Sequence, residues 1–432
     1  MAAPPVPGQP APPGAVVLGM PGVPGSPSIG EPLPGAAPAL SLSLPPPPLP
    51  PVPAGGARIA VLLPLSGSSA QLGADMLNAV ELALFDFADE GFELIIHDTG
   101  STPEMAAQAA KMAVADGAQL VLGPLTAAST VAVAEVAIPA SINVVSFSAD
   151  RAVAGGGVNV MGFLPGDQVQ RVVSYTASRG LGRFAALAPD TPYGRTVIAA
   201  LQESARLAGG QVVRTQIYSP STADFNAMIK QLADYDARRG ALLAQRRELA
   251  GHEDELSKRA LARLENLQTI GDLPFDALLV ADGGNRLEQI AALLPYYDVD
   301  PRRIRMLGTM LWDEAGPITE PALVGGWFAA PAPAERRDFE TRFRATFGRA
   351  PRRLATLAYD AAALAWVLSQ TPGGPDFSAA AIADPRGFLG QDGIFRFRPD
   401  GTVERGLAVL EVGRDGERPI DPAPQSFGPL IN

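Results

Sequence analysis

The stretch that decides the fold is Arg58–Met76, RIAVLLPLSGSSAQLGADM. Its first six residues predict a buried β-strand, which is followed by a proline, a Ser-Gly turn and the start of a helix. A strand, loop and helix in this order can form a phosphate site. Phosphate loops, however, carry Lys-Ser/Thr after their glycines, or three spaced glycines. Neither pattern occurs near Gly67, so the loop predicts a weak anion or carboxylate site and not a nucleotide site.

The same unit repeats along the chain and predicts an α/β fold. Further strands are predicted at FELIIHD (92–98), AQLVLGP (118–124), INVVSFSAD (142–150), RFAALAPD (183–190), QVVRTQIY (211–218), FDALLVADGG (275–284) and RIRMLGTM (303–310). Segments with helical periodicity separate most of them, and crossovers of that length imply parallel sheets covered by helices on both faces. The number of strands favours two doubly wound lobes over one large sheet.

The loops that follow these strands are the predicted ligand site. Ligands of open parallel sheets bind in the crevice at the carboxyl ends of the strands. In this chain those loops are rich in hydroxyls and small residues, with a few acids. Several of them lead into helix N-termini, whose free N–H groups favour anionic ligand groups.

Composition argues against several classes of function. The net charge of −11 argues against nucleic acid as a partner, and the absence of Cys removes disulfides, thiolate metal sites and Cys nucleophiles. Of the two histidines, His97 is the sole candidate for a Ser-His-Asp triad, and we interpret it as a structural contact. The HEDE run at 252–255 is the only cluster that could suggest a metal, and we interpret it as a solvated face. Asp98 with Asp150 or Asp282 could form a glycosidase pair, but nothing in the spacing demands one, so we predict no enzyme, metal or cofactor.

The N-terminal segment differs from the rest of the chain. Its first 53 residues hold 19 of the 43 prolines, and Glu31 is their only charged residue. Such proline density forbids helices and sheet ladders and favours extended polyproline II. Residues 1–56 are therefore predicted to be a disordered tail, or a spacer that holds a folded domain away from an anchor. No signal peptide is visible, so export would require a signal that has been trimmed or lies upstream.

An insertion is predicted between two strands of the second set, at about residues 221–270. Ser221 to Asp224 forms a capping-box pattern, and Gly251-His252 predicts a break between two helices. One apolar seam is predicted from a seven-residue repeat: Tyr235, Leu242, Leu249 and Leu256. The insertion is either a solvated hairpin resting on its own lobe or a projection that binds a partner.

With these motifs in this order, residues 58–412 resemble the type I periplasmic binding proteins, the superfamily of the leucine/isoleucine/valine-binding protein. The resemblance is carried by IAVLLPLSGSSAQLGADMLNAVELALFD, by HDTGSTPEMAAQAAKMAVADGAQLVLGPLTAASTVAVAEVA, and by the Tyr-Gly motif in DTPYGRTV. It implies two lobes joined by three crossovers. Carried onto this chain, one lobe is 57–164 plus 332–390, the other is 165–331 plus 391–420, and residues 421–432 are a tail.

The resemblance also implies a ligand and the residues that would hold it. In the family's amino-acid binders, hydroxyls and N–H groups of the cleft loops hold the carboxylate, while an acid and a second-lobe Tyr help to hold the ammonium. The residues at matching loops of this chain are Ser66, Thr126, Ser148, Asp150, Tyr193, Asp282 and Asp313. Asn285 and Arg286 replace family aromatics. Met310 stands where the family has a Glu, and Asp313 is the candidate substitute for that Glu. The expected ligand is a small carboxylated molecule.

Two roles are open to a non-catalytic protein of this kind. The Pro-rich segment and the insertion favour the branch of penicillin-binding protein activators, which stimulate peptidoglycan synthases from a membrane-tethered lipoprotein. The alternative is the substrate-binding protein of an ABC transporter for branched-chain amino acids or a related ligand, with a permease as its partner. Both roles imply a periplasmic location, and a hydrolase on an α/β scaffold remains a third class.

Overall fold

The computed structural model describes residues 56–87, 91–313 and 320–428. The predicted N-terminal tether, apart from Gly56, lies outside these residues. None of the helices within the described ranges is long and apolar enough to cross a membrane.

The first lobe is a five-stranded parallel sheet in the order β2-β1-β3-β4-β5. Its elements are β1 (Ala57–Leu63), α1 (Ala70–Phe87), β2 (Phe92–Asp98), α2 (Pro103–Ala115), β3 (Leu120–Leu122), α3 (Ala127–Ala137), β4 (Asn143–Ser146) and β5 (Val158–Val160). Every residue of β1 is buried, as its apolar run predicts, since strands lie on both sides of it. Thr102 caps α2 by accepting a hydrogen bond from the Met105 N–H, and Pro103 occupies its first turn.

The second lobe is a seven-stranded sheet in the order β15-β14-β10-β9-β8-β6-β7. Its first elements are α4 (Pro165–Ser178), β6 (Arg183–Pro189), α5 (Pro192–Leu207), β7 (Gln211–Tyr218), α6 (Asn226–Leu232), α7 (Tyr235–Ala250), α8 (Glu255–Leu264), β8 (Ala277–Val280), α9 (Gly284–Leu293), β9 (Arg305–Gly308) and β10 (Trp327–Ala330). Strands β6 to β10 pair in parallel, whereas the last two strands of the sheet pair antiparallel.

The chain then returns to the first lobe before it ends in the second. Helices α10 (Pro333–Phe347) and α11 (Ala355–Ser369) pack beside α1, and α12 (Ala379–Ile382) follows. Strands β11 (Phe388–Gly390), β12 (Gly393–Phe397) and β13 (Val403–Arg405) form a small antiparallel sheet, and β14 (Ala408–Gly413) and β15 (Gly416–Asp421) complete the second sheet.

The third crossover differs from the prediction that the second lobe resumes at residue 391. The small sheet lies instead against the end of the first lobe, where the Val160 N–H donates to the Gly401 carbonyl at 2.8 Å. The second sheet resumes only at Ala408. Residues 421–428 of the predicted tail also pack, because the Arg396 guanidinium donates to the Gly428 carbonyl and lies 4.6 Å from the centre of the Phe427 ring.

In both lobes, a helix begins in close contact with the end of the preceding strand. Gly73, in the first turn of α1, lies so close to the Pro64 carbonyl oxygen that a Cβ would be 2.0 Å from it. Gly194 of α5 has the same relation to the Pro189 carbonyl oxygen, also at 2.0 Å. Each helix therefore starts directly on the carboxyl end of its strand, which is where the predicted ligand loops lie.

The insertion is rooted in the core and projects only at its far end. Ile229 and Leu232 of α6 are fully buried, whereas α8 has no buried residue. The capping-box prediction at Ser221 is wrong, because α6 begins at Asn226 and the Asp224 carboxylate accepts hydrogen bonds from Asn226 itself. The predicted break is present, since α7 ends at Ala250 and α8 begins at Glu255.

The predicted apolar seam is buried at the base of the insertion but exposed at its far end. Tyr235 packs edge-on against Tyr297 at 5.3 Å and Leu242 is fully buried, but Leu256 is 78% exposed. Arg238, itself 9% exposed, holds the base by donating to Asp298 at 2.8 Å and to the Gly271 carbonyl at 3.1 Å. The outer half of the hairpin thus lies clear of its own lobe.

Candidate functional site: the cleft between the lobes

The loop that opens the fold binds a carboxylate, but the carboxylate belongs to the chain. Asp98, at the end of β2, accepts hydrogen bonds from the N–H groups of Leu65 (2.8 Å), Ser66 (3.1 Å) and Gly100 (2.8 Å) through one oxygen. Burial acts to raise the pKa of Asp98, but hydrogen bonds from the Ser66 side chain and these N–H groups outweigh it and lower the pKa. Because Asp98 occupies these donors, the loop has little capacity left for an external anion.

A cavity of about 800 Å³ lies between the two lobes. The first lobe contributes the loops at 125–127 and 148–152, which follow β3 and β4, and the second lobe contributes residues of α4 and α5. This volume is in the range of ligand sites for small molecules. Its position at the carboxyl ends of two parallel strands agrees with the crevice expected for such sheets.

Four of the seven predicted ligand residues line this cavity: Thr126, Ser148, Asp150 and Tyr193. Thr126 is the N-cap of α3 and accepts a hydrogen bond from the Ser129 N–H. Ser148 is 3% exposed, and its hydroxyl accepts from the Asp150 N–H at 3.1 Å. The Asp150 carboxylate in turn caps the next turn by accepting from the Ala152 N–H at 2.9 Å.

Tyr193 faces these loops from the second lobe. It lies in the first turn of α5, and its hydroxyl is 2.6 Å from the hydroxyl of Thr309, which is fully buried. This hydrogen bond fixes the ring at the cavity wall. A ligand between the lobes would therefore meet hydroxyls and N–H groups on one side and a phenol on the other.

The other three predicted ligand residues, Ser66, Asp282 and Asp313, do not line this cavity. Asp313 is engaged by Arg336 at 3.0 Å and by Arg353 at 3.5 Å, and its side chain is 7% exposed. Its partners come from segments far away in sequence, so the pattern around Trp312-Asp313 does not reveal them.

Asp282 is held in the second lobe by short-range and long-range partners. It accepts hydrogen bonds from the Tyr218 hydroxyl at 2.6 Å and the Gly283 N–H at 2.9 Å, and Arg286 approaches to 3.5 Å. Burial, together with the hydrogen bond to Asp282, raises the pKa of Tyr218 far above its usual value, so this phenol stays protonated as a donor.

Sequence reasoning missed the acids that the second lobe contributes. Asp167, in the first turn of α4, and Glu203, on α5, line the cavity together with Gln170. Burial raises the pKa of Asp167 although Arg398, 3.8 Å away, acts to lower it. An acid in the first turn of a helix is common and does not by itself indicate a ligand site. The sequence signal that could have pointed to Asp167 is its position directly after the first crossover.

The charge of the lining suits a ligand with two polar ends. Three acids (Asp150, Asp167 and Glu203) and one base (Arg151) surround a mostly apolar wall. The N-termini of α3, α4 and α5 also border the cavity. These features together allow a carboxylate and a cationic group to be held at different places around an apolar body.

Solved structures resemble this chain in fold. The leucine-binding protein of Thermotoga maritima is 19% identical, with a TM-score of 0.57 over 85% of this chain and 98% of that one. A solute-binding protein of an ABC transporter from Rhodopseudomonas palustris, in complex with 3,4-dihydroxybenzoic acid, is 17% identical, with a TM-score of 0.60 over 88% and 99%. A branched-chain amino acid transporter substrate-binding protein from Streptococcus pneumoniae, in complex with isoleucine, is 16% identical, with a TM-score of 0.57 over 85% and 100%.

A search of curated protein sequences found no significant match. The family model described as "periplasmic binding protein" matches residues 56–417, which is well over half of the chain. The match includes both lobes and all three crossovers. The chain therefore belongs to the periplasmic binding protein family, with the type I fold that its sequence predicts.

Proposed function

We propose that this protein is the substrate-binding component of an ABC transporter and that it binds a small carboxylated ligand with an apolar body in the cleft. The observation that carries the proposal is the cavity of about 800 Å³, which hydroxyl loops of one lobe and Tyr193 of the other line together. Its partners are then a permease and the ligand, and its location is the periplasm. The similar solved structures in complex with isoleucine and with 3,4-dihydroxybenzoic acid support this ligand class.

Each part of such a ligand has a counterpart in the cavity. The carboxylate is held by the hydroxyls of Ser148 and Thr126 and by the N–H groups that open α3, since a charged acceptor strengthens such hydrogen bonds. The apolar body contacts Leu125, Leu164 and the alanines of α5. Asp167 is the acid best placed to accept an ammonium group. A branched-chain amino acid would satisfy all three requirements.

The proposal assigns no catalytic step. His97 Nε2 lies 3.0 Å from an Asp116 carboxylate oxygen, and His97 does not line the cavity. His252 is exposed in the turn between α7 and α8. Neither histidine is placed to activate a cleft hydroxyl, and catalysis by a serine nucleophile requires a base within hydrogen-bond reach.

We expect Ser148→Ala to weaken ligand binding by about 10-fold to 100-fold, because it removes a hydroxyl that binds the ligand carboxylate and such bonds to charged groups contribute about 1.5–3 kcal/mol. Tyr193→Phe should also weaken binding, because it removes the hydrogen bond to Thr309 that fixes the ring at the cavity wall. The measurement is the rise in melting temperature of the intact chain with leucine, isoleucine, valine or benzoate. Ser221→Ala and Tyr296→Phe are matched controls, since both residues are exposed outside the cavity. An equal ligand-induced rise in melting temperature in all variants would mean that the ligand does not bind in the cleft.

Asp167→Asn separates the two ligand types. Binding of an amino acid should fall because the acceptor for its ammonium group loses its charge, whereas binding of benzoate should persist. If no ligand raises the melting temperature of the unmodified protein, the transport proposal has no support.

One observation favours the second candidate, regulation of a peptidoglycan synthase. The outer half of the α7–α8 hairpin projects, with Leu243 and Leu256 exposed among charges of both signs. A transport receptor docks by its lobes and has no need of this hairpin, whereas an activator needs a surface for the synthase to bind. In that role the N-terminal segment would serve as a membrane tether.

Replacing residues 247–263 with a short Gly-Ser turn tests this candidate. Arg246, which binds the carbonyls of Leu264, Glu265 and Leu267, is retained, so the base of the hairpin should fold and any ligand response should persist. Capture of a purified synthase should be lost, and capture by the intact protein should weaken with added salt. Capture at full strength by the shortened protein would make the hairpin purely structural, and the absence of capture by the intact protein would eliminate this candidate.

A further inference from the structure

All three crossovers between the lobes meet at one buried group of charges. We call this group the crossover cluster; its members are Asp313, Arg336, Arg353, Asp360, Asp392 and Arg405. Their side chains are all largely shielded from solvent, and Asp392 is fully buried. The cluster holds three acids and three guanidinium groups, and the Glu340 carboxylate also binds one of these, Arg336, at 2.6 Å.

The first crossover is held through Phe163. Two guanidinium groups contact its ring, with the Cζ of Arg353 4.7 Å and the Cζ of Arg405 4.8 Å from the ring centre. Arg405 also donates to the Met161 carbonyl at 2.7 Å. Cation–π contacts of this kind strengthen when water is excluded.

The second crossover is held through Asp313. This residue follows β9 of the second lobe, and Arg336 is in the first turns of α10 of the first lobe; their side chains are 3.0 Å apart. The same carboxylate faces Arg353 at 3.5 Å. One acid of the second lobe thus contacts two cations of the first.

The small sheet that leads into the third crossover is held by Asp360 and Arg353, both in the first lobe. The Gln391 N–H donates to Asp360 Oδ1 at 2.7 Å, and Arg353 binds both oxygens of Asp392, at 2.9 and 3.1 Å. Gly390 lies against the same carboxyl, since a Cβ there would be 2.3 Å from Asp360 Oδ2. The turn between β11 and β12 therefore rests on the Asp360 side chain, and the third crossover follows β13 of the same sheet.

Asp360 is the member whose charge can change near neutral pH. Burial is the main cause that raises its pKa to about 7; repulsion from Asp392 adds to this, and the Gln391 N–H, Arg405 and Arg353 oppose it. Its Oδ2 makes no hydrogen bond, and neither do Nε and Nη1 of Arg405 or Nε of Arg353. An ionised Asp360 attracts Arg405 and Arg353, whereas a protonated one removes this attraction and leaves the two guanidinium groups with one counter-charge fewer.

We propose that Asp360 is a proton-dependent latch on the hinge: its ionised form holds the three crossovers in one arrangement, and its protonated form releases them and widens the range of angles between the lobes. The groups that face Asp360 are Asp392 and the Gln391 N–H in the turn between β11 and β12, Arg405 at the end of β13, directly before the third crossover, and Arg353 before α11. Asp313 and Arg336 lie behind Arg353. The latch acts without a ligand, so it is independent of the proposed transport role.

The test is the distance between the lobes as a function of pH. The chain has no Cys, so Lys111→Cys and Gln202→Cys, both at exposed positions of α2 and α5, give one label on each lobe. We expect the distance distribution of the ligand-free protein to broaden as the pH falls from 8.5 to 5.5, with a midpoint near 7. The labelled Asp360→Asn variant, which keeps the acceptor for Gln391, should show the broad distribution at every pH.

Asp384→Asn is the matched control, since it removes a partly exposed acid that pairs with Arg386 outside the crossover cluster; this variant should broaden with falling pH as the unmodified protein does. A distribution that does not change with pH in the unmodified labelled protein would overturn the proposal, whether or not Asp360→Asn folds. So would an Asp360→Asn variant that folds and still shows the same transition.

Discussion

Asp392→Asn should lower the free energy of unfolding by about 3–5 kcal/mol, because it leaves buried guanidinium groups without their counter-charge. The side chain of Asp392 is fully buried and binds Arg353 through both oxygens. Burial alone would raise the pKa of Asp392, but Arg353, Thr356 and Arg405 outweigh it and lower the pKa, so the carboxylate is ionised at neutral pH. The measurement is denaturant unfolding at pH 7.

Asp384→Asn is the control, since Asp384 also binds one arginine, Arg386, through both oxygens. That pair lies near the surface, with the Arg386 side chain 87% exposed and the Asp384 side chain 25% exposed, so its loss should cost less than about 1 kcal/mol. If both variants lost the same free energy of unfolding, burial of Asp392 would add nothing to the contribution of its ion pair.

Gly308→Ala should destabilise the second lobe by about 3 kcal/mol or more, because overpacking a rigid core displaces backbone or side chains. A Cβ on Gly308 would be 2.2 Å from the ring of Trp312, which is 1% exposed and donates to the Val280 carbonyl at 3.3 Å. Because the Trp312 ring is almost fully buried, any shift of the ring displaces neighbouring atoms. Thermal unfolding of the intact chain measures the effect.

Gly240→Ala is the opposite case and serves as the control. Gly240 lies in the interior of α7, and a Cβ there would meet no atom within 4 Å. Alanine should therefore stabilise the helix by about 0.5–1 kcal/mol. A Gly308→Ala protein as stable as the unmodified one would contradict the packing described around Trp312.

The fold could be predicted because its signals are local. Each strand is a short apolar run, each crossover has helical length, and capping residues such as Thr102 and Thr126 stand directly before their helices. The small sheet of β11 to β13 could not be predicted in the same way. Its position depends on the bond between Val160 and Gly401, which are far apart in sequence.

The difference between local signals and contacts that are distant in sequence also explains which residues of the candidate site could be predicted. Ser148 and Thr126 could be placed together because parallel strands end at one edge of a sheet. Asp313 could not be excluded, because the arginines that engage it lie more than twenty residues away. Asp167 was missed, because an acid at a helix start is usually explained by the helix dipole.

The insertion shows the limit of periodicity. A seven-residue repeat predicts a continuous apolar seam from Tyr235 to Leu256. A repeat of this kind does not reveal where the partner surface ends, and here the lobe supports only the base of the hairpin. Leu256 is left exposed at the far end.

The central claim is that the cleft binds a small carboxylated ligand, and calorimetric titration tests it most directly. The intact chain would be unfolded and refolded to remove any bound molecule, then titrated with leucine, isoleucine, valine and benzoate. We predict saturable one-to-one binding of at least one of these ligands, and no measurable binding by the double variant Ser148→Ala with Tyr193→Ala. Absence of binding for all four ligands, or unchanged binding by the double variant, would contradict the account.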